Sequence, residues 1–188
     1  MPLPLLLLGH RLRSSGALAE EFVFRVAPSG GEREALRALL DRCSSGSGSG
    51  SAGQDPPSPL PLLPCTGIAA ADMVKVFLRE LPQPLLAALP LSQLQGMEGR
   101  GDSLAAWAGL GGRERATVQW LSQLLLDTAA LESANKMTLR SLAMMVGPNL
   151  YAGPGIPPLE VFAAGQKCAV VLMHVAQQLQ EAAAGGGQ

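Results

Sequence analysis

One run in the latter part of the chain, residues 135–150, restricts the possible folds more than any other stretch. It begins with polar residues, passes Thr138, continues apolar for about one and a half helical turns, and stops at a Gly-Pro pair. A threonine side chain can accept the first backbone N–H groups of a helix, and a Gly-Pro pair ends one. The run therefore predicts a short buried helix over about residues 138–147. Asn135 and Asn149 lie at its ends, where an amide can either cap the local backbone or face a partner.

Apolar residues recur at helical spacing along much of the remaining chain, whereas no stretch shows the alternation of a half-buried strand. This pattern predicts an all-α domain. Ser29 and Glu32 form a capping-box pattern at the start of one helix, and the glycine-rich stretch 96–112 contains only a marginal helical segment. The other predicted helices cover about residues 3–15, 30–43, 69–81, 114–127 and 159–182. The last of them is expected to bury Phe162, Val171, Leu172, Val175 and Leu179.

Composition is typical of a helical domain with an aliphatic core. The chain has 188 residues, of which 47% are hydrophobic and only 4% aromatic, so Leu, Ala, Val and Met must fill the interior. The formal net charge of −1 argues against nucleic acid as a partner, because phosphate binding requires a basic surplus. The odd number and wide spacing of Cys43, Cys65 and Cys168 fit neither a disulfide framework nor a metal site. We expect reduced thiols, a cytoplasmic location and no bound metal.

The leucine-rich start of the chain is interpreted as the first core helix and not as a secretory signal. No charge precedes its short apolar run, and His10, Arg11 and Arg13 follow it, which reverses the order of a signal peptide. No apolar stretch approaches the roughly 20 residues that cross a bilayer. We therefore expect no membrane span.

Two segments differ in composition from the helices around them. Residues 44–64 are rich first in Ser and Gly and then in Pro and Leu, which predicts a low-complexity insertion within the domain. Pro56-x-x-Pro59 matches a minimal proline-ligand pattern, but no Lys or Arg stands beside it. A plain surface insertion is therefore favoured over a protein-binding motif. Residues 183–188 are expected to form a disordered tail.

A second run supports the identification of a family. Residues 74–85 read V-K-V-F-L-R-E-L-P-Q-P-L, and the two prolines end the predicted helix. This run and the 135–150 run resemble, in this order, two motifs of the Rho GTPase-activating (RhoGAP) family, close to L-K-x-F-L-R-E-L-P-E-P-L and N-K-M-T-x-x-N-L-A-x-V-F-G-P-N-L. The resemblance covers roughly residues 1–180. It implies a RhoGAP-type helical bundle, a single domain over residues 1–182, that accelerates GTP hydrolysis by a GTP-loaded Rho-family GTPase.

A short segment near the N-terminus carries the candidate catalytic residue. In residues 22–26, four apolar residues surround Arg25, so they can anchor the segment while the arginine is held outward. The segment resembles the family's E-G-I-F-R-V-S-G, which implies that Arg25 is an arginine finger. Such an arginine neutralises the negative charge that GTP hydrolysis builds on the phosphoryl oxygens, an effect of about 10³–10⁵ in rate. The alternative is a surface arginine paired with Glu20 or Glu21.

Lys75 and Arg79 stand four residues apart on one predicted helix, and like charges at that spacing cost a helix about 0.2–0.5 kcal/mol. The resemblance implies that both cations belong to the GTPase-facing surface, which suits an acidic partner. The alternative is a solvated face, with Asp72 offsetting Lys75. Capping roles are equally open for the polar residues around the helix of the 135–150 run. The residues to which the resemblance assigns GTPase binding there are Asn135, Ser141 and Asn149.

Three departures from the family's pattern surround the candidate finger. Phe22 stands where the family has a glycine, which tolerates backbone angles that phenylalanine does not. Pro28 replaces another glycine, and Ser141 replaces an asparagine whose amide carries two N–H donors. Two hypotheses therefore stand: an activator that completes its partner's active site without independent catalysis, or a catalytically weak module that binds GTPases or scaffolds other proteins. Neither needs a cofactor of its own, since the nucleotide and its Mg²⁺ belong to the partner.

Overall fold

The computed structural model describes residues 1–14, 16–44, 63–152 and 156–185, and within these ranges the chain forms nine α-helices and no strand. The prediction of an all-α domain is confirmed. Two short 3₁₀ turns lie at Ala17–Ala19 and Gly147–Leu150. The helices are α1 (Leu3–Ser14), α2 (Gly30–Ser44), α3 (Gly67–Arg79), α4 (Leu91–Gly96), α5 (Arg100–Ala108), α6 (Gly112–Ala129), α7 (Glu132–Asn135), α8 (Leu139–Val146) and α9 (Pro158–Gly185).

The longest helix, α9, organises one side of the core. It packs against α4, α5, α6, α8 and the Gly147–Leu150 turn. A Cβ atom at Gly147 would lie 2.7 Å from the backbone nitrogen of Ala169 and from the carbonyl oxygen of Gly165, so only glycine fits at this crossing. The inward residues of α9 are Ala164, Gly165, Cys168, Ala169, Val171, Leu172, Val175 and Ala176. Burial raises the pKa of the Cys168 thiol to about 12.

The prediction of which α9 residues are buried is correct for the middle of the helix and wrong for its start. Val171, Leu172 and Val175 are fully buried, but Phe162 is 67% exposed. The buried stripe begins only at Ala164, where the helix meets the Gly147–Leu150 turn, so the turns before it lie beyond the core. Spacing along a helix selects a face, but it does not say where a neighbour covers that face.

By length and composition, α9 also meets the test for a membrane-spanning helix, which we did not expect from the sequence. It is the one such helix among the described residues. About 44% of its most apolar stretch is buried against the rest of the domain. Packing in a core requires the same apolar residues that a bilayer would, so this helix is weak support for a span.

The first three helices form the other side of the core. Both α1 and α2 pack against α3. Four leucines of α1, Leu5, Leu7, Leu8 and Leu12, are buried, which confirms that the leucine-rich start is a core helix. Helix α3 begins at Gly67, slightly earlier than expected, because the Thr66 hydroxyl oxygen accepts the N–H of Ala69 at 3.1 Å.

The capping box predicted at the start of α2 is half formed. The Ser29 hydroxyl oxygen accepts the N–H of Glu32 at 3.2 Å. The carboxylate of Glu32 instead accepts the N–H and the hydroxyl of Thr66, at 2.9 and 2.7 Å. These two bonds lower the pKa of Glu32. A contact between distant residues thus replaces the local bond that the pattern predicts.

The glycine-rich stretch 96–112 is more ordered than its composition indicates. Helix α5 occupies most of it, and α4 ends where it begins. The Asp102 carboxylate accepts the N–H groups of Glu98 and Gly99, at 2.9 and 3.2 Å, and so fixes the start of α5. Packing of α4 and α5 against α9 supplies the stability that their weak helix propensity lacks.

Most of the 44–64 insertion, including Pro56 and Pro59, lies outside the described residues. At the other end of the chain, α9 continues to Gly185 and not only to about residue 182. Residues 186–188 of the expected tail lie outside the described ranges as well.

Candidate functional site

The Arg25 loop (residues 20–28) presents one cation on a turn that apolar anchors hold in place. Val23 and Phe24 are fully buried, whereas Arg25 is exposed. The N–H of Arg25 donates to the carbonyl oxygen of Phe22 at 2.7 Å, which closes the turn. The structure thus shows the outward position that the sequence predicts for this arginine.

Phe22 adopts the backbone angle for which glycine is favoured. Its φ is 56°, in the left-handed region that costs a residue with a side chain about 1–2 kcal/mol. Its N–H donates to the carbonyl oxygen of Asn135 at 2.9 Å, which helps to hold this angle. The guanidinium carbon of Arg25 lies 5.8 Å from the centroid of the Phe22 ring. The phenylalanine therefore keeps the turn and adds a cation–π contact, worth about 0.5–1 kcal/mol at an exposed site.

The alternative pairing of Arg25 with a neighbouring glutamate is not what the structure shows. The Glu20 carboxylate accepts the N–H groups of Gly67 and Ile68, at 3.1 and 3.2 Å, and so caps the start of α3. Among the ion pairs of the described ranges, none includes Arg25. Glu20 therefore ties the Arg25 loop to α3 and leaves the guanidinium accessible.

Lys75 fastens the Arg25 loop from α3. Its Nζ donates to the carbonyl oxygen of Phe24 at 2.9 Å and lies 3.4 Å from Oδ1 of Asp72. The pairing with Asp72 that we considered is therefore present, but the Lys75 side chain is only 15% exposed and does not form a solvated face. Its ammonium points toward the loop, and its contribution to binding a GTPase stays a prediction.

Arg79 has different surroundings, although it lies one turn beyond Lys75. It is exposed in the last turn of α3, where a cation is favourable beside the helix C-terminus. Its accessible guanidinium suits an acidic surface on a partner, and this role stays a prediction.

Asn135 joins the Arg25 loop to the 135–150 run from inside the core. Its side chain is 0% exposed. Its Nδ2 donates to the carbonyl oxygens of Leu18 and Thr128, at 2.8 and 2.7 Å, and its Oδ1 accepts the N–H of Met137 at 2.8 Å. Its own carbonyl oxygen accepts the N–H of Phe22. Of the two alternatives for this asparagine, the geometry favours the structural one, because no part of the side chain reaches the surface.

The other polar residues of the run cap α8. The Asn149 Nδ2 donates to the carbonyl oxygens of Met145 and Val146, both at 3.0 Å. At the opposite end, the Thr138 hydroxyl oxygen accepts the N–H of Ser141 at 3.0 Å, and its proton is donated to the Ser141 hydroxyl at 2.9 Å. The capping arrangement of these two residues is confirmed. Ser141 is exposed, so its side chain is also open to a partner.

The structure brings Arg25, Lys75 and Asn135 together through the backbone of one loop. It also adds residues that sequence reasoning did not assign. Glu20 was considered only as a partner of Arg25, and Arg33 was not considered. Arg33 donates from Nε to Oδ2 of Asp72 at 2.7 Å, across 39 positions of sequence. The spacing of Asp72 and Lys75 indicates their pairing, but no local pattern indicates the contact with Arg33.

A group of three or more His, Cys, Asp or Glu side chains that could hold a metal is not found within the described ranges.

Comparison with known proteins decides the family. A family model for the RhoGAP domain matches residues 2–154, which is most of the chain. The chain belongs to the RhoGAP domain family. The domain is 28% identical over 176 residues to the Rho GTPase-activating protein gacA of Dictyostelium discoideum, covering 93% of this chain and 47% of that protein. It is 31% identical over 153 residues to Rho GTPase-activating protein 5 of Arabidopsis thaliana, covering 80% of this chain and 40% of that protein. The chain thus spans less than half the length of these relatives.

Solved structures share the fold of this RhoGAP domain. Human Rho GTPase activating protein 15 superposes with a TM-score of 0.66 at 19% sequence identity, covering 93% of this chain and 83% of that chain. The BH domain of GRAF, the GTPase regulator associated with focal adhesion kinase, gives a TM-score of 0.66 at 16% identity, covering 93% and 91%. The prediction of a RhoGAP-type helical bundle is confirmed.

Proposed function

We propose that this RhoGAP domain binds a Rho-family GTPase in its GTP-bound form and inserts Arg25 to accelerate GTP hydrolysis. The observation that carries the proposal is the Arg25 loop, which exposes one guanidinium and buries the two residues before it, Val23 and Phe24. The names of its relatives and the match to the RhoGAP family model support the same activity.

The chemistry follows from what Arg25 can supply to a nucleotide held by the partner. Negative charge develops on the transferring phosphoryl group and the leaving oxygen, and a guanidinium placed there stabilises it without a proton transfer. Arginine is suited to phosphate because its charge is permanent and its planar fork can bond two oxygens. Placement decides the gain, since an error near 1 Å can cost about 10² in rate.

Single-turnover GTP hydrolysis tests the proposal. We expect the domain, in excess over each member of a small panel of GTP-loaded Rho-family GTPases, to shorten the half-life of GTP on at least one of them. Binding should be stronger to the GTP form than to the GDP form, because the domain acts on the former. If no member of the panel is accelerated or bound in a GTP-dependent way, the proposed function is wrong.

A catalytically weak binding module is the second candidate. It is favoured by the left-handed backbone of Phe22 and by Ser141, whose hydroxyl bonds Thr138 and is not seen to bond the Arg25 loop within the described part of the chain. Such a module would bind the GTP form and change the hydrolysis rate little. The two substitutions that follow separate the candidates.

If the Phe22 ring holds Arg25 in the position it needs in the transition state, replacing Phe22 with glycine should lower the saturating hydrolysis rate about two- to five-fold, the equivalent of one cation–π contact. Glycine keeps the backbone angle but removes the ring beside Arg25. Phe22→Leu is the matched control for apolar volume, because it keeps an apolar side chain but lacks the ring. It should lower the hydrolysis rate to a similar extent, since it loses the same contact. A rise in rate for Phe22→Gly would instead support the weak module, because it would mean that the ring holds Arg25 away from its productive position.

If the domain is the weaker of the two candidates, replacing Ser141 with asparagine should raise activity about two- to twelve-fold, because the amide supplies a hydrogen bond that serine does not make. Ser141 is exposed in the first turn of α8, so the longer amide can be accommodated at little cost in stability. Thermal unfolding and single-turnover hydrolysis measured on the same preparations check both statements. Unchanged activity at unchanged stability would show that Ser141 is not the limiting departure.

Replacing Arg79 with glutamate should weaken GTPase binding, and the loss should shrink as salt rises because exposed charges are screened beyond about 10 Å at 0.1 M. Arg79 is the suitable member of the Lys75–Arg79 pair, since Lys75 also holds the Arg25 loop. Affinity titrations at two ionic strengths provide the measurement. Equal affinities of the variant and the wild type at low salt would mean that Arg79 belongs to a solvated face.

We further propose a cytoplasmic location. The three cysteines are free, Cys43 exposed, Cys65 half-buried and Cys168 buried, which suits a reducing compartment. Partial burial raises the pKa of Cys65, so its thiol is less reactive than an exposed one.

A further inference from the structure

A series of contacts between charged side chains connects α2, through α3, to the Arg25 loop. Arg33 of α2 donates to Oδ2 of Asp72 at 2.7 Å, and Oδ1 of Asp72 lies 3.4 Å from Nζ of Lys75. Lys75 in turn donates to the carbonyl oxygen of Phe24 at 2.9 Å. Phe24 directly precedes Arg25, so this series of contacts ends at the peptide group that joins Phe24 to Arg25.

That peptide group is held on both of its sides. Its carbonyl oxygen accepts from Lys75, and its N–H, which belongs to Arg25, donates to the carbonyl oxygen of Phe22 at 2.7 Å. Because a peptide group is planar, fixing both polar atoms fixes the direction in which the chain enters Arg25. The position of Lys75 Nζ is therefore coupled to the position of the guanidinium.

The burial of the two central residues makes their pairing necessary. The side chains of Asp72 and Lys75 are 8% and 15% exposed, and a charge at such a site requires a partner. Arg33 is 41% exposed and supplies the second cation that a buried carboxylate between two helices can accept. Without the charge of Asp72, the Lys75 ammonium would keep only a neutral carbonyl oxygen, and an outward rotamer in water would compete with it.

We propose that Asp72 and Arg33 are positioning residues for Arg25: Arg33 orients Asp72, Asp72 holds Lys75, and Lys75 holds the Phe24 carbonyl. The inference rests on the proposed function of Arg25 as an arginine finger. Neither residue touches the nucleotide in this scheme. Their contribution is to keep the loop in the geometry that hydrolysis needs.

A second ion pair between the same helices provides a matched control. Arg37 of α2 donates to the carboxylate of Glu80, which caps the end of α3, with a closest distance of 2.5 Å. Both side chains are about half exposed, and their contacts do not reach the Arg25 loop in the part of the chain described. Removing this pair changes α2–α3 docking without changing the support of Phe24.

The experiment compares Asp72→Asn, Arg33→Ala and Arg37→Ala in single-turnover hydrolysis at saturating domain, with affinity for the GTP-loaded GTPase measured separately. We expect Asp72→Asn to lower the saturating rate between about 10- and 100-fold, as for a misplaced catalytic group, with affinity within about three-fold. Arg33→Ala should lower the rate less, because Asp72 and Lys75 still face each other. Arg33→Lys should restore most of that loss, and Arg37→Ala should change the rate less than about two-fold.

Amide hydrogen exchange of Arg25 provides a readout that does not depend on activity. Its N–H should exchange faster in Asp72→Asn than in the wild type and in Arg37→Ala, because the turn opens more often. If the wild type accelerates no GTPase, the proposed function fails, and the exchange rate still decides whether Asp72 orders the loop. If Asp72→Asn does not fold, Arg33→Ala decides in the same two measurements. A folded Asp72→Asn variant with the hydrolysis rate and the amide exchange rate of the wild type would overturn the proposal. So would an Arg37→Ala variant whose effects on both rates equal those of Asp72→Asn.

Discussion

Replacing Arg25 with alanine should reduce GTPase activation by about 10³–10⁵-fold, the range measured for arginine fingers, if the domain is a full activator. Binding to the GTP-loaded GTPase should change little, because the guanidinium acts on charge that develops in the transition state. The structure adds a reason for this separation. Arg25 is exposed and pairs with no carboxylate in the described ion pairs, so its removal leaves the loop anchored by Val23 and Phe24.

Saturating single-turnover rates and separate affinity titrations provide the measurement for Arg25. Arg25→Lys keeps a charge but loses the planar fork, so it should restore little of the rate. Arg113→Ala is the matched control, because Arg113 is an exposed arginine near the start of α6. It lies about four helical turns from Thr128, whose carbonyl oxygen accepts from Asn135 at the other end of the helix, nearer the Arg25 loop. An alanine variant within a few-fold of the wild-type rate would show that Arg25 is not the finger.

Replacing Asn135 with alanine should lower the free energy of unfolding by on the order of 3 kcal/mol, since a buried group left without a partner costs about 1–3 kcal/mol. Three bonds are lost, to the carbonyl oxygens of Leu18 and Thr128 and from the N–H of Met137. Domains of this kind are stable by about 5–15 kcal/mol, so the loss is a large fraction of the total. Activity at a temperature where the variant is folded should also fall, because the lost side-chain bond to Leu18 helps to position the backbone carbonyl oxygen of Asn135 that accepts the N–H of Phe22.

Urea unfolding checks the prediction for Asn135. The comparison requires that the free energy of unfolding depend on urea concentration with the same slope in the variant and in the wild type. Gln177→Ala is the control for removing a side-chain amide from an exposed position of α9, and it should change stability by less than about 0.5 kcal/mol. Asn135→Asp should cost at least as much as alanine, because a carboxylate would face two carbonyl oxygens. A loss below about 1 kcal/mol for the alanine variant would mean that water replaces the amide and that Asn135 is not a structural centre.

Apart from α8, which its capping threonine and its Gly-Pro end indicate, the helices that sequence reasoning found share long, regular apolar spacing. The leucines of α1 and the inward residues of α3, α6 and α9 repeat at intervals that only a helix brings to one face. Helix α4 was not predicted, and α5 was predicted only as a marginal segment. Their six and nine residues contain too few apolar repeats, and the stretch around α5 is rich in glycine. Their stability comes from contact with α9, which a local pattern does not contain.

Some features of the candidate site also follow from the sequence, and others do not. The outward position of Arg25 follows from the apolar residues Val23 and Phe24 before it, whereas Val26 after it is exposed and does not anchor the loop. The pairing of Thr138 with Ser141 follows from their spacing. The burial of Asn135 does not follow, because a polar residue at a helix end is exposed in most proteins. Nor does the burial of Lys75, whose cation serves a carbonyl 51 positions away in sequence.

The sequence by itself determined the helical class, the family and the residue that faces outward on the loop, because periodicity, capping residues and motifs are properties of neighbouring positions. Only the tertiary structure decided which polar groups are buried together. Asp72 finds Arg33 across 39 positions, and Asn135 finds Leu18 across 117. A buried charge or amide takes the partner that the packed helices bring within about 3 Å, and the identity of that partner depends on the whole fold.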